Sequence, residues 1–117
     1  LEENDSALIF TKRAYNLSKK NNYTLGEAIA LESKGLYHEI VTGKYDLASQ
    51  FYFDGIAVCE KNGLPYATSI YHSLGVMFHT SDNYEKALEY YSIAYERSKK
   101  DEDTVIQKKC LINMGSI

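Results

Sequence analysis

A chain of 117 residues with a net charge of −3 has the size of one small domain. Its acidic balance excludes the clustered basic surface on which nucleic-acid binding draws. Two cysteines without motif spacing and a single proline exclude a disulfide framework, a CxxC redox pair, a zinc pattern and a low-complexity linker.

In chain order, residues ~3–21 read as a helix with Ala7, Phe10, Ala14 and Leu17 facing inward and Asn21-Asn22 as its stop. Thr24-x-x-Glu27 has the form of a capping box, the cap and third residues satisfying each other's backbone N–H groups. The helix it starts runs to about Thr42, with Leu31, Gly35 and Ile40 among its apolar positions. Thr42-Gly43-Lys44 is a turn. A helix over 45–62 follows, with Gly63 as a left-handed C-cap, Leu64 as its hydrophobic contact and Pro65 in the first turn of the next helix.

The pair at 65–100 carries the clearest pattern. Tyr71, Leu74, Gly75 and Phe78 sit at i, i+3, i+4 and i+7, and Tyr84, Ala87, Leu88, Tyr91 and Ala94 repeat that spacing. Asp82 is the expected cap of the second stripe, with Glu85 reaching back. Small residues face large ones, so bulk from one helix fits where the other has none. Thr104-x-x-Gln107 then opens a last helix over 104–117, preceded by the acidic run Asp101 to Asp103. Residues 62–81 carry no Asp, Glu, Lys or Arg, but Asn62, Gly63, Pro65, Ser69, His72 and Ser73 make them too polar for a membrane span. An inner helix covered on more than one side is expected there.

The pattern recurs every 40 residues. Gly35, Gly75 and Gly115 are evenly spaced, as are Leu31, Tyr71 and Leu111. Ala7, Ala14 and Ser18 precede Ala87, Ala94 and Ser98 by two periods. Tyr45, Ala48, Tyr52 and Gly55 mirror Tyr84, Ala87, Tyr91 and Ala94 after a one-residue shift, which the spacing places at the 42–44 turn. A fixed period of this length is the mark of a helical solenoid. A mid-helix glycine costs about 1 kcal/mol relative to alanine, so a neighbouring helix is expected to come close at each of the three.

On Tyr71, Leu74-Gly75, Phe78, Asp82, Tyr84, Ala87, Tyr91 and Ala94, the chain resembles the tetratricopeptide repeat (TPR) family. The resemblance covers essentially the whole chain. It departs at Lys34, where Leu is usual, at Gly55, where Ala is usual, at the absent proline after the second helix, and in a period longer than the usual 34. It implies an all-α, right-handed superhelical TPR solenoid of about six antiparallel helices. These are the second helix of a partial repeat (3–21), two repeats (25–62 and 65–100) and the first helix of another (104–117). Arrays of this kind resemble the sensor halves of bacterial signalling proteins, peptide-pheromone receptors included, and some eukaryotic scaffold proteins.

The resemblance further implies a concave groove lined by the first helix of each repeat. Carried over residue by residue, it takes Ile29, Glu32, Ser33, Leu36 and Glu39, then Ser69, His72, Ser73, Val76 and His79, then Lys109, Ile112, Asn113 and Ser116. Of these, Glu32, Leu36, Glu39, Ser69, His72, Val76, His79, Lys109 and Asn113 are the candidate ligand-binding residues. Only Lys109 and Asn113 match the Lys/Asn clamp that such arrays use for a C-terminal carboxylate, so chaperone-tail recognition is not expected. Glu32 and Glu39 favour a partner with some positive charge; as plain solvated groove residues they mean nothing more. His72 and His79, at i, i+7, are about 10 Å apart, whereas helical zinc sites use i, i+4.

The expected function is therefore a protein- or peptide-binding scaffold, part of a larger regulatory or signalling protein. The alternative is a self-association module, because Leu111 and Met114 at one end and the first helix at the other lack partners, giving a possible homo-oligomer. No G-x-S-x-G, Walker loop or G-x-G-x-x-G is present, so no enzyme, cofactor or metal is expected. Cys59 and Cys110 read as small apolar seam residues, and unpaired cysteines favour a reducing, cytoplasmic setting.

Overall fold

The computed structural model describes Lys12 and residues 24–117. The expected helix over 3–21 and its Asn21-Asn22 stop lie outside the described residues, Lys12 apart. The ordered helices are α1 (Thr24–Tyr37), α2 (Tyr45–Asn62), α3 (Ala67–Thr80), α4 (Tyr84–Lys100) and α5 (Thr104–Gly115). Every regular element among the described residues is helical. The chain divides into two compact units, residues 1–66 and 67–117.

In the first unit α1 and α2 form an antiparallel hairpin. Its seam closes where Tyr52, fully buried, lays its ring on Gly35. A Cβ built on Gly35 would stand 2.6 Å from Tyr52 Cε1, closer than any carbon pair tolerates. His38 stacks on Phe51 with centroids 5.5 Å apart and planes 8° from parallel. Lys34 Nζ covers the same Phe51 ring at 5.7 Å. Ala48, with no exposed surface, lets the helices approach.

In the second unit α3 and α4 repeat this construction. Tyr91 lays its ring on Gly75, where an added Cβ would stand 2.5 Å from Tyr91 Cδ1. Phe78 stacks on Tyr90 at 5.4 Å and 12°, and Lys86 Nζ sits 5.3 Å over Phe78. Further along, Tyr71 stacks on Tyr90 and under the Arg97 guanidinium. Thr68 donates to Asp101. The pairs 78·90, 75·91, 71·97 and 68·101 fix the antiparallel register. Helix α5 runs back along α4, with Gln107 Nε2 donating to the Ser98 carbonyl and Met114 beside Ser92. Its buried Cys110 thiol is pushed up to about 11 by desolvation, and Cys59 of α2 is buried too.

The turns correct two expectations. The cap of α4 is Asn83, whose side chain accepts from Lys86 N–H, not Asp82. The cap of α5 is Asp103, accepting from Ile106 N–H, not Thr104. The two turns are built alike: the middle residue, Asp82 or Glu102, takes the left-handed conformation at φ 62° and 57°, and the third residue caps. A cap must itself stay outside the helix: that role falls to the residue after the left-handed one, since Thr104 is already the first residue of α5 and Asp82 is itself left-handed. Pro65 and Tyr66 sit in the turn before α3 rather than in its first turn. Gly63 is the expected left-handed C-cap of α2, its N–H bonding the Cys59 carbonyl, which also receives the Leu64 N–H at 2.9 Å.

The one-residue shift between the hairpins also has a structural account. From Gly35 to Tyr52 is one residue more than from Gly75 to Tyr91. The surplus is absorbed inside the helix: α1 widens into a π-turn over His38–Thr42 before the left-handed Gly43. The His38 carbonyl there receives the Gly43 and Lys44 N–H groups and the Thr42 hydroxyl. A π-turn is the form one added residue takes when both flanking registers are held.

The third glycine of the series differs: nothing lies within 4 Å of a Cβ on Gly115. Gly75→Ala is expected to lose about 1–3 kcal/mol to overpacking, more than the ~1 kcal/mol regained in helix propensity. Gly115→Ala should be neutral or mildly stabilising. Urea unfolding midpoints of the two variants should move in opposite directions, or Gly115→Ala should stay put.

Candidate functional site

The expected groove residues separate into two sets. Glu32 and Glu39 do not face solvent as the sequence suggests. Glu39 is buried and accepts from the Tyr52 hydroxyl at 2.7 Å. Glu32 is buried and accepts from the Tyr66 hydroxyl. Burial raises the Glu39 carboxyl above the usual carboxylate range, and the Tyr52 hydrogen bond counters this in part. Tyr52 is raised in turn, by desolvation first and then by its bond to Glu39. A buried carboxylate whose lone pairs are taken by internal donors is a poor handle for a basic partner.

His72 and His79 hold the matching places in the second unit. The Tyr91 hydroxyl lies 3.3 Å from His79 Nδ1, and the His72 ring leans on Tyr91 with centroids 5.7 Å apart. Asn113 Nδ2 donates to His72 Nε2 at 3.0 Å. Desolvation, then the charge of Lys109, holds His72 below its ordinary value. Each seam tyrosine thus brings its hydroxyl to a polar residue of the opposing arm of its hairpin, Glu39 in the first and His79 in the second. Three of the expected residues, His72, Lys109 and Asn113, are brought together, with Lys109 itself exposed.

The remaining groove residues stay at the surface. Ile29 and Leu36 of α1 join Leu25 and, in the π-turn that follows, Ile40 in an exposed apolar stripe, Leu36 38% and Ile40 72% accessible. Ser33, between them, turns its hydroxyl back to the Ile29 carbonyl. On α3, Ser69 and Val76 are half-buried, and Ser73 bonds back to the Ser69 carbonyl. On α5, Ile112 is 71% and Leu111 53% exposed.

An open depression of about 540 Å³ lies at residues 43–47, lined by Gly43, Lys44, Tyr45, Asp46 and Leu47, a set without a nucleophile–base pair. Among the described residues no three His, Cys, Asp or Glu side chains cluster to hold a metal ion, and no helix is long and apolar enough to cross a membrane. The sequence reading missed the tyrosines as partners of the polar groove residues. The signal was present: each seam tyrosine follows its glycine by nearly the same interval.

No family model, curated protein or solved structure matches the chain.

Tyr52→Phe tests the buried pair. It leaves the Glu39 carboxylate desolvated without its donor and should cost about 1–3 kcal/mol at neutral pH. The loss should shrink in a Glu39→Leu background, where nothing remains to satisfy; a double-mutant cycle read by thermal unfolding gives the coupling.

Proposed function

We propose that the chain is a TPR-type helical repeat acting as a non-enzymatic binding scaffold whose ligand is a peptide segment docking on the outward face of α1. One observation carries this reading: the stripe Leu25, Ile29, Leu36 and Ile40 is exposed along several turns of a single helix. Exposed apolar residues in a row, unlike scattered ones, mark a surface that gains by being covered. The near-equivalent Gly–Tyr seams of the two hairpins support the repeat, as does the 40-residue spacing. Because Glu32 and Glu39 are turned into the hairpin, the favoured ligand is an apolar or amphipathic segment rather than a basic one.

Selection of displayed random peptides against the chain should enrich sequences with apolar residues at i, i+3 or i+4. Leu36→Arg with Ile40→Arg should abolish their capture while leaving the far-ultraviolet circular dichroism unchanged. Enriched peptides that bind this variant as well as the parent would overturn the reading.

A second reading, self-association, is favoured by the exposure of Leu111 and Ile112 on α5. It expects the mass seen by light scattering to rise with concentration and to fall to that of a monomer in Leu111→Glu. A mass that stays monomeric over the same range would exclude it.

A further inference from the structure

Each unit places a titratable group of opposite kind against its own seam tyrosine, a carboxyl against Tyr52 and imidazoles against Tyr91. On α1, Glu39 is buried against Tyr52, a neutral donor, with Glu32 two turns earlier on the same helix. On α3, His72 is packed against Tyr91 of α4, while α5 presents Asn113 and the cation Lys109 to it. His79, two turns further along α3, meets the Tyr91 hydroxyl and the edge of the Tyr84 ring.

We propose that the chain carries an acid-responsive device in which falling pH loosens the second unit at the α3–α5 contact and tightens the first at the α1–α2 seam. The proposal is independent of what α1 binds.

In the second unit, the Asn113 amide donates to His72 Nε2, so that nitrogen must be without a proton. Protonating it removes the acceptor, sets N–H against N–H, and places a second cation beside Lys109. The groups facing the ring are an amide, a tilted phenol ring and an ammonium, none of which offers a counter-charge. The folded state therefore favours neutral His72, in line with its lowered pKa. A group whose folded value is lowered in this way contributes stability above its unfolded value, about 6.5, and loses it as the pH falls.

In the first unit, protonating Glu39 removes a desolvated charge while the other carboxyl oxygen still accepts from Tyr52. Its folded value is raised by burial. Stability tied to that group is greatest in acid and declines as the pH rises through the folded value. As the pH falls the units thus respond in opposite senses, the second through His72 and the first as Glu39 takes its proton.

Hydrogen exchange of the whole chain at pH 7.5, 5.0 and 4.0, corrected for intrinsic rates, tests this, the lowest point reaching the ordinary carboxylate range. Residues 67–80 and 104–115 should lose protection several-fold in acid, while 24–37 and 45–62 gain. Equal change in both units would overturn the proposal. His72→Gln, which keeps an acceptor for Asn113 without titrating, should remove the loss, and Glu39→Gln should remove the gain; persistence of either effect in its variant overturns it. Should a variant fail to fold, the imidazole resonances of the parent chain decide. A His72 midpoint below about 6.5 supports the device, and one at or above that value refutes it.

Discussion

A phenol ring resting on a glycine is the contact on which each hairpin depends. At Gly35 and at Gly75 the opposing tyrosine stands where any side chain would have to be. This sets the helix separation, fixes the register, and brings the tyrosine hydroxyl to a polar residue one turn beyond the glycine, Glu39 or His79. The stacked pairs His38·Phe51 and Phe78·Tyr90 flank this point and follow from it. So does the burial of Ala48 and Ala87, which permit the approach. The helix-propensity penalty of a mid-helix glycine is offset by the apolar surface that a fully buried tyrosine removes from water.

The same contact decides which polar residues face solvent. A residue two turns from another on the face of an isolated helix looks solvated. Across from a buried tyrosine it becomes part of the seam. Glu39 is drawn inward in this way, and Glu32 is satisfied by the hydroxyl of Tyr66 in the turn after α2. The exposed face that remains on α1 is apolar.

Much of the fold was legible because it rests on periodicity. The spacing of Tyr71, Leu74, Gly75 and Phe78 against Tyr84, Ala87 and Tyr91 is enough to pair α3 with α4, and the left-handed Gly63 is legible from its place before Leu-Pro. Caps were read one residue off because Ser-Asp-Asn and Asp-Glu-Asp offer several competent cap side chains. Only the backbone decides which becomes left-handed, here Asp82 and Glu102. The groove was less legible still. Whether a carboxylate faces water or a tyrosine depends on contacts 13 and 34 residues away in sequence, and no local pattern records those.

The π-turn at His38–Thr42 reaches beyond bookkeeping of residue number. It shows that this type of hairpin stores a change in length at its tip and leaves the seam untouched. Wider turns have poorer hydrogen-bond geometry than the α-helix around them, and here one carbonyl, that of His38, serves three donors. The tip of the first hairpin therefore holds its least regular backbone hydrogen bonding, next to the stacked His38·Phe51 pair. The second hairpin, whose helix runs regularly to Thr80, has no such irregularity between its glycine and its turn.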